Sequence, residues 1–125
     1  MIISIISLQE IASKINCIHT GRVLYAVTED TPYRVAGTNL LVRDENEDVV
    51  QAGIYNYVRH SQDPKAIFPN PTYLAFLEPY MLHSQDNPDA PLMLRCDNPQ
   101  CVIRFDSKHS WQEAKQGNFR VATYQ

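Results

Sequence analysis

Three thiols and four imidazoles are the groups in this chain best suited to nucleophilic or metal chemistry: Cys17, Cys96, Cys101, His19, His60, His83 and His109. Cys17-x-His19 and Cys96-x4-Cys101 would together supply four ligands for a structural zinc. The spacing argues against it, because no paired Cys-x2-Cys is present. A Cys/His catalytic pair, such as Cys96 or Cys101 with His83, lacks any local signature around the nucleophile. The blander reading is two small cysteines flanking a bulge and histidines in solvated loops. The acidic run Asp44, Glu45, Glu47 and Asp48 lacks the turn glycine and closing glutamate of a calcium loop, so it reads as a solvated hairpin tip. Four glycines in the whole chain leave no room for a phosphate-cradling loop.

Aromatic and guanidinium side chains make a more coherent set. Tyr33, Arg34, Arg43, Tyr55, Tyr57 and Arg59 fall on or beside predicted strands two and three, and Trp111 opens a C-terminal helix. Tyrosine, tryptophan and arginine are the residue types that most often anchor protein interfaces. Rings interleaved with arginines also suit single-stranded nucleic acid. Charge opposes that alternative. Positions 20 to 60 carry four arginines, no lysine and six acids, and a groove that displaces counterions from phosphates should not be net negative.

The elements that must position these residues follow from periodicity. Ser7-Leu-Gln-Glu10 is a capping box, and Leu8, Ile11, Ala12 and Ile15 then keep helical spacing, predicting a helix over 8–15. From Gly21 the period becomes two, with Val23, Tyr25 and Val27 in a first strand. Thr38–Arg43 and Val49–Val58 are the second and third strands, joined at Asp44–Asp48. Gly53 marks an expected bulge or bend. A helical turn is expected around Lys65 and Ala66, then a fourth strand over Thr72–Leu77 that Pro79 interrupts. His83–Pro91 reads as a polar loop. Leu92–Arg95 begins a fifth strand, bulged at Asp97-Asn-Pro99 and continued by Cys101–Phe105. Ser110-Trp-Gln-Glu113 is a second capping box, followed by Gly117 as a C-cap.

Five strands with a connector between the third and fourth outline a mainly β, OB-like barrel with short flanking helices. An open antiparallel α+β sheet is the competing architecture. With 125 residues, 44% of them hydrophobic, 20% charged and a net charge of −3, the composition is globular. A single domain is expected: a helical lead-in over 1–19, a β core over 20–106 and a helix with tail over 107–125. No stretch has the roughly 20 apolar residues of a membrane span. Met1–Ser7 has no basic region before it and no cleavage pattern after it. The odd, small number of cysteines points to a reducing, intracellular location, cytoplasmic or nuclear.

Several segments taken in order carry a resemblance. They are His19-Thr-Gly-Arg22, Thr31-Pro-Tyr-Arg34, Val42-Arg-Asp-Glu-Asn-Glu-Asp48 before Ile54-Tyr-Asn56, Ile67-Phe-Pro69, Leu77-Glu-Pro-Tyr80 and Leu94-Arg-Cys-Asp-Asn-Pro99. This succession resembles the N-terminal region of fungal proteins that carry tetratricopeptide repeats followed by a SET domain. The likeness runs from about Cys17 to Phe105. It implies a leading, barrel-like module of a protein-lysine methyltransferase, either truncated or standing alone. The signature residues of the SET domain, which binds S-adenosylmethionine, are absent, so no catalytic, cofactor or metal residue carries over. The expected role is a non-catalytic interaction module whose partner is a protein or a downstream repeat domain. Nucleic acid is the disfavoured alternative, and no membrane is involved.

Overall fold

A computed structural model of the chain describes residues 4–34, 37–59 and 62–118. After the short strand β1 (Ser4–Ile5), the Ser7 hydroxyl accepts from the Glu10 amide at 3.1 Å and the Glu10 carboxylate accepts from the Ser7 amide at 3.2 Å. That reciprocal cap starts helix α1 (Leu8–Ala12), which buries Leu8 and Ile11. The helix stops before Ile15 because the chain is recruited elsewhere: Asn16 takes a φ of 62° and its amide donates to the Met81 carbonyl at 2.8 Å.

Strand β2 (Arg22–Thr28) is apolar on both faces and buried on both, the pattern of a strand covered on two sides. Leu24 and Ala26 enter the main core with Leu40, Val42, Ile54, Phe68, Phe76 and Leu94. Val23 and Tyr25 face a second cluster with Ala75, Leu77 and Trp111. The strands that follow are β3 (Tyr33–Arg34), β4 (Thr38–Arg43) and β5 (Val49–Ile54). The expected helical turn is α2 (Pro64–Ile67), capped by the Asp63 carboxylate. Next come β6 (Tyr73–Leu77), β7 (Met81–His83), β8 (Leu92–Cys96), β9 (Val102–Phe105) and helix α3 (Lys108–Glu113). The Ser107 hydroxyl caps α3 by accepting from the Ser110 amide. The cap therefore lies three residues before the expected Ser110.

Among the described residues these nine strands form one sheet in the order β7-β8-β5-β4-β2-β6-β9, with β1 on β2 and β3 on β4. The fold is mainly β, as expected. The sheet is an open path, however, and not the closed five-stranded barrel. It is also mixed, since β5–β8 and β1–β2 are parallel. The opening has a local cause. Residues 73–83 and 92–105 run side by side, β6 against β9 and β7 against β8. Between those pairings Pro79 and Pro99 lack the N–H a ladder needs. Glu78 takes a φ of 48° and donates its amide to Arg22 on the β2 side. Asn98 caps a turn of 3-10 helix over Pro99–Cys101. The expected interruption at Asp97–Pro99 thus falls where it should, and β7 covers Met81 and Leu82, for which no element is expected, and takes His83 from the start of the expected polar loop.

Gly53 produces no bulge. Its register with Asn39 and Arg95 is unbroken, and the Met93 methyl packs over it, 2.8 Å from where a Cβ would lie. The acidic hairpin is only partly a solvated tip. Asp44 is buried, its Oδ1 accepts from the Asn46 and Asp48 amides at 3.0 and 3.1 Å, and its Oδ2 accepts from the Leu8 amide at 2.9 Å. One carboxylate therefore closes the β4–β5 turn and seats α1. Replacing Asp44 by Ala strands the buried Leu8 amide and frees the turn amides of Asn46 and Asp48, and the expected cost is about 1–3 kcal/mol in chemical denaturation. Asp44→Asn, which keeps an acceptor, should cost less.

Candidate interaction face

Side chains of directly opposed residues project from the same face of a sheet. Tyr33 opposes Asn39, Asn39 opposes Gly53 and Gly53 opposes Arg95. The Arg95 amide donates to Tyr80 at 3.0 Å, and Tyr80 bridges to Ile18. This makes one row across the outer face, from Tyr33 to Ile18. At about 4.8 Å per strand, five steps span roughly 24 Å. A second row beside it holds Leu41, Gln51, Met93 and Leu82. Leu40, Ala52 and Leu94 point the other way, into the core.

The row is internally braced. The Gln51 side-chain amide donates to Asn39 Oδ1 at 3.0 Å and to the Tyr33 hydroxyl at 3.3 Å. The Tyr33 ring stays half exposed, at 51%. The Tyr55 ring lies across Gly37, where a Cβ would come within 2.7 Å of its Cδ1. The Arg95 guanidinium sits over that ring, 4.8 Å from the centroid. Its Nε donates to both Asp97 carboxylate oxygens, at 3.1 and 3.3 Å. Arg43, at the far end of β4, pairs with Glu29 and Glu47.

The residues singled out by sequence therefore separate. Tyr33, Tyr55 and Arg43 share the outer face. The Arg34 backbone pairs with Thr38, while its side chain lies outside the described part. Arg59 sits in the connector after β5, its amide donating to Gln62. Tyr57 packs on Phe68, ring centroids 5.2 Å apart, against the main core. Trp111 is not a surface anchor. It is 8% exposed, its indole N–H donates to the Leu74 carbonyl at 2.9 Å, and it holds α3 on β2 and β6. Arg95, Gln51 and Asn39 join the face instead. Only the parallel pairing of β5 with β8 brings Arg95 there, and that pairing leaves no local trace in sequence.

The described thiols fall in two places, Cys17 near His19 and Cys96 with Cys101 on one cleft. Cys17 Sγ lies 4.0 Å from His19 Nε2, which itself contacts the Lys14 carbonyl at 2.9 Å. His83 Nδ1 contacts the Ala90 carbonyl, and His109 pairs with Glu113. His60 lies outside the described residues. Among those described, no three His, Cys, Asp or Glu side chains gather as a metal site. Burial, reinforced by Cys101 and Asp97, pushes the Cys96 thiol up to about 12. Burial and then Glu78 also raise Cys101. Thiols held this way are poor nucleophiles at neutral pH. No described helix is long and apolar enough to cross a membrane. Compared with known protein families and with curated proteins, the chain matches none.

The Cys96 shift carries a pH signature. Below its ordinary value of 9.0 the thiol is protonated folded and unfolded alike. Above it the unfolded thiol ionises first, so stability falls with rising pH until the folded value is passed. Tyr25, raised from 10.0 to about 12 by burial and then by Glu45, adds to the fall above pH 10. Urea midpoints measured from pH 8 to 10 should decline, and Cys96→Ala should flatten the decline between pH 9 and 10. An unchanged slope in that variant would assign the decline to other groups.

Proposed function

We propose that this chain is a non-catalytic interaction module of OB type. Its binding face is the outer face of β3, β4, β5 and β8, and its partner is a protein surface. In this reading β6–β7 and β8–β9 each act as one interrupted strand, which makes the open sheet a partly open barrel. The resemblance of the segment order to the N-terminal region of fungal repeat- and SET-domain proteins is in keeping with a scaffold role within the cell, toward a downstream repeat domain or a separate protein.

One observation supports a protein partner over nucleic acid. The two arginines whose side chains are placed on this face are already paired with carboxylates: Arg95 with Asp97, and Arg43 with Glu29 and Glu47. The remainder of the face is apolar or amide, with Leu41 exposed next to the Tyr33 row and Val49 exposed opposite Arg43. Phosphate recognition draws its affinity from cations that replace counterions, and these cations are spent inside the module. Exposed aromatics with satisfied amides suit a desolvating protein contact.

Single-stranded nucleic acid remains the second reading, because Tyr33 and the guanidinium laid on Tyr55 are planar platforms. The two readings separate experimentally. A Tyr33→Ala/Arg95→Ala double variant should lose at least about tenfold affinity for a protein partner recovered with the native chain. The native chain should leave the anisotropy of labelled single-stranded DNA and RNA unchanged at low salt. Micromolar, salt-sensitive oligonucleotide binding abolished in that variant would reverse the ranking.

A further inference from the structure

Where the hairpin fails to zip, the outer face ends in a cleft of about 470 Å³. Sites that enclose a compact organic group have volumes of this order. Ile18, Leu77, Pro79 and Leu82 line it with hydrocarbon. Among the described residues Ile18 is the most exposed large hydrophobic, at 62%. Three charged side chains also line it: Glu78, Arg95 and Asp97. Arg95 and Asp97 pair with each other. The Glu78 carboxylate accepts one backbone N–H, from Gly21 at 2.9 Å. No Lys, Arg or His among the described residues forms an ion pair with it. The cleft therefore combines an apolar wall with one uncompensated negative charge.

We propose that this cleft is an anchor pocket for a linear segment of a partner protein, taking a large aliphatic side chain with a Lys or Arg beside it. The pocket continues the row from Tyr33 through Arg95 and Tyr80 to Ile18, so a single extended segment of about seven residues would cover both. The apolar wall receives the aliphatic group, and Glu78 faces the cation. The inference rests on the protein-binding reading of the outer face, and its test is chosen so that the two fail separately.

The probe is N-acetyl-leucyl-lysine amide, titrated into the isotope-labelled full chain and followed by backbone amide shifts. The shifts should saturate, with affinity on the order of millimolar, and centre on Ile18, Tyr80, Leu82, Asn98 and Cys101. N-acetyl-leucyl-glutamate amide and N-acetyl-alanyl-lysine amide should each bind about five-fold more weakly. Glu78→Gln should erase the preference for lysine over glutamate. Ile18→Asp, at an exposed position, should weaken binding without moving the α3 amides. Tyr33→Ala, at the far end of the row, should leave dipeptide binding unchanged. Absence of saturable shifts, equal response to the glutamate probe, or shifts centred outside the cleft would overturn the pocket. Dipeptide binding that persists while protein partners bind the Tyr33→Ala/Arg95→Ala variant as tightly as the native chain would instead overturn the reading of the outer face.

Discussion

Residues 73–83 and 92–105 cannot zip into one continuous antiparallel hairpin, and the rest of the molecule is arranged around that failure. Pro79 and Pro99 supply no N–H to a ladder, and Glu78 turns its amide toward β2. The hairpin is thereby cut into two pairs. One, β6–β9, continues the sheet beyond β2, and the other, β7–β8, joins it beyond β5. The β7–β8 pair meets β5 in parallel, which lays Arg95 over Tyr55. The same cut leaves the apolar cleft between Ile18, Pro79 and Leu82.

Two cores hold this divided sheet together. The larger lies on the inner face under α1 and α2, and the smaller lies between β2, β6 and α3. Asp44 links the β4–β5 turn to α1 through three backbone amides, which sets the hairpin carrying Asn39, Gln51 and Tyr55. Among the described residues, Tyr33, Leu41 and Val49 stay exposed on the outer face of β3, β4 and β5. Its own side chains brace each other through Gln51 and through the stack of Gly37, Tyr55 and Arg95. A face so ordered before binding loses little side-chain entropy on contact.

Signals carried by neighbouring residues were legible in the sequence, and those carried by distant pairing were not. The Ser7–Glu10 cap, the period-two runs of β2, β4 and β6, and the turn at Asp44–Asp48 appear as expected, while β5 ends at Ile54, short of the expected Val58, before Asn56 takes a φ of 64°. Strand β7 is three residues long and follows a proline, so it shows no alternation. The parallel β5–β8 pairing decides which residues share the outer face, and no local pattern encodes it. Tyr33 and Tyr55 could thus be singled out, while Arg95 could not. Trp111 shows the reverse error. Its position at the start of a short helix suggests exposure, yet β2 is apolar at nearly every position from Val23 to Val27. That unbroken run already implies a covering helix on its second face.

Hydrogen–deuterium exchange on the native chain, with and without a captured protein partner, tests the account most directly. It predicts added protection over residues 51–55, 80–82 and 93–98, with none over 102–115. Protection confined to β9 and α3, with the outer face exchanging as in the free chain, would contradict it.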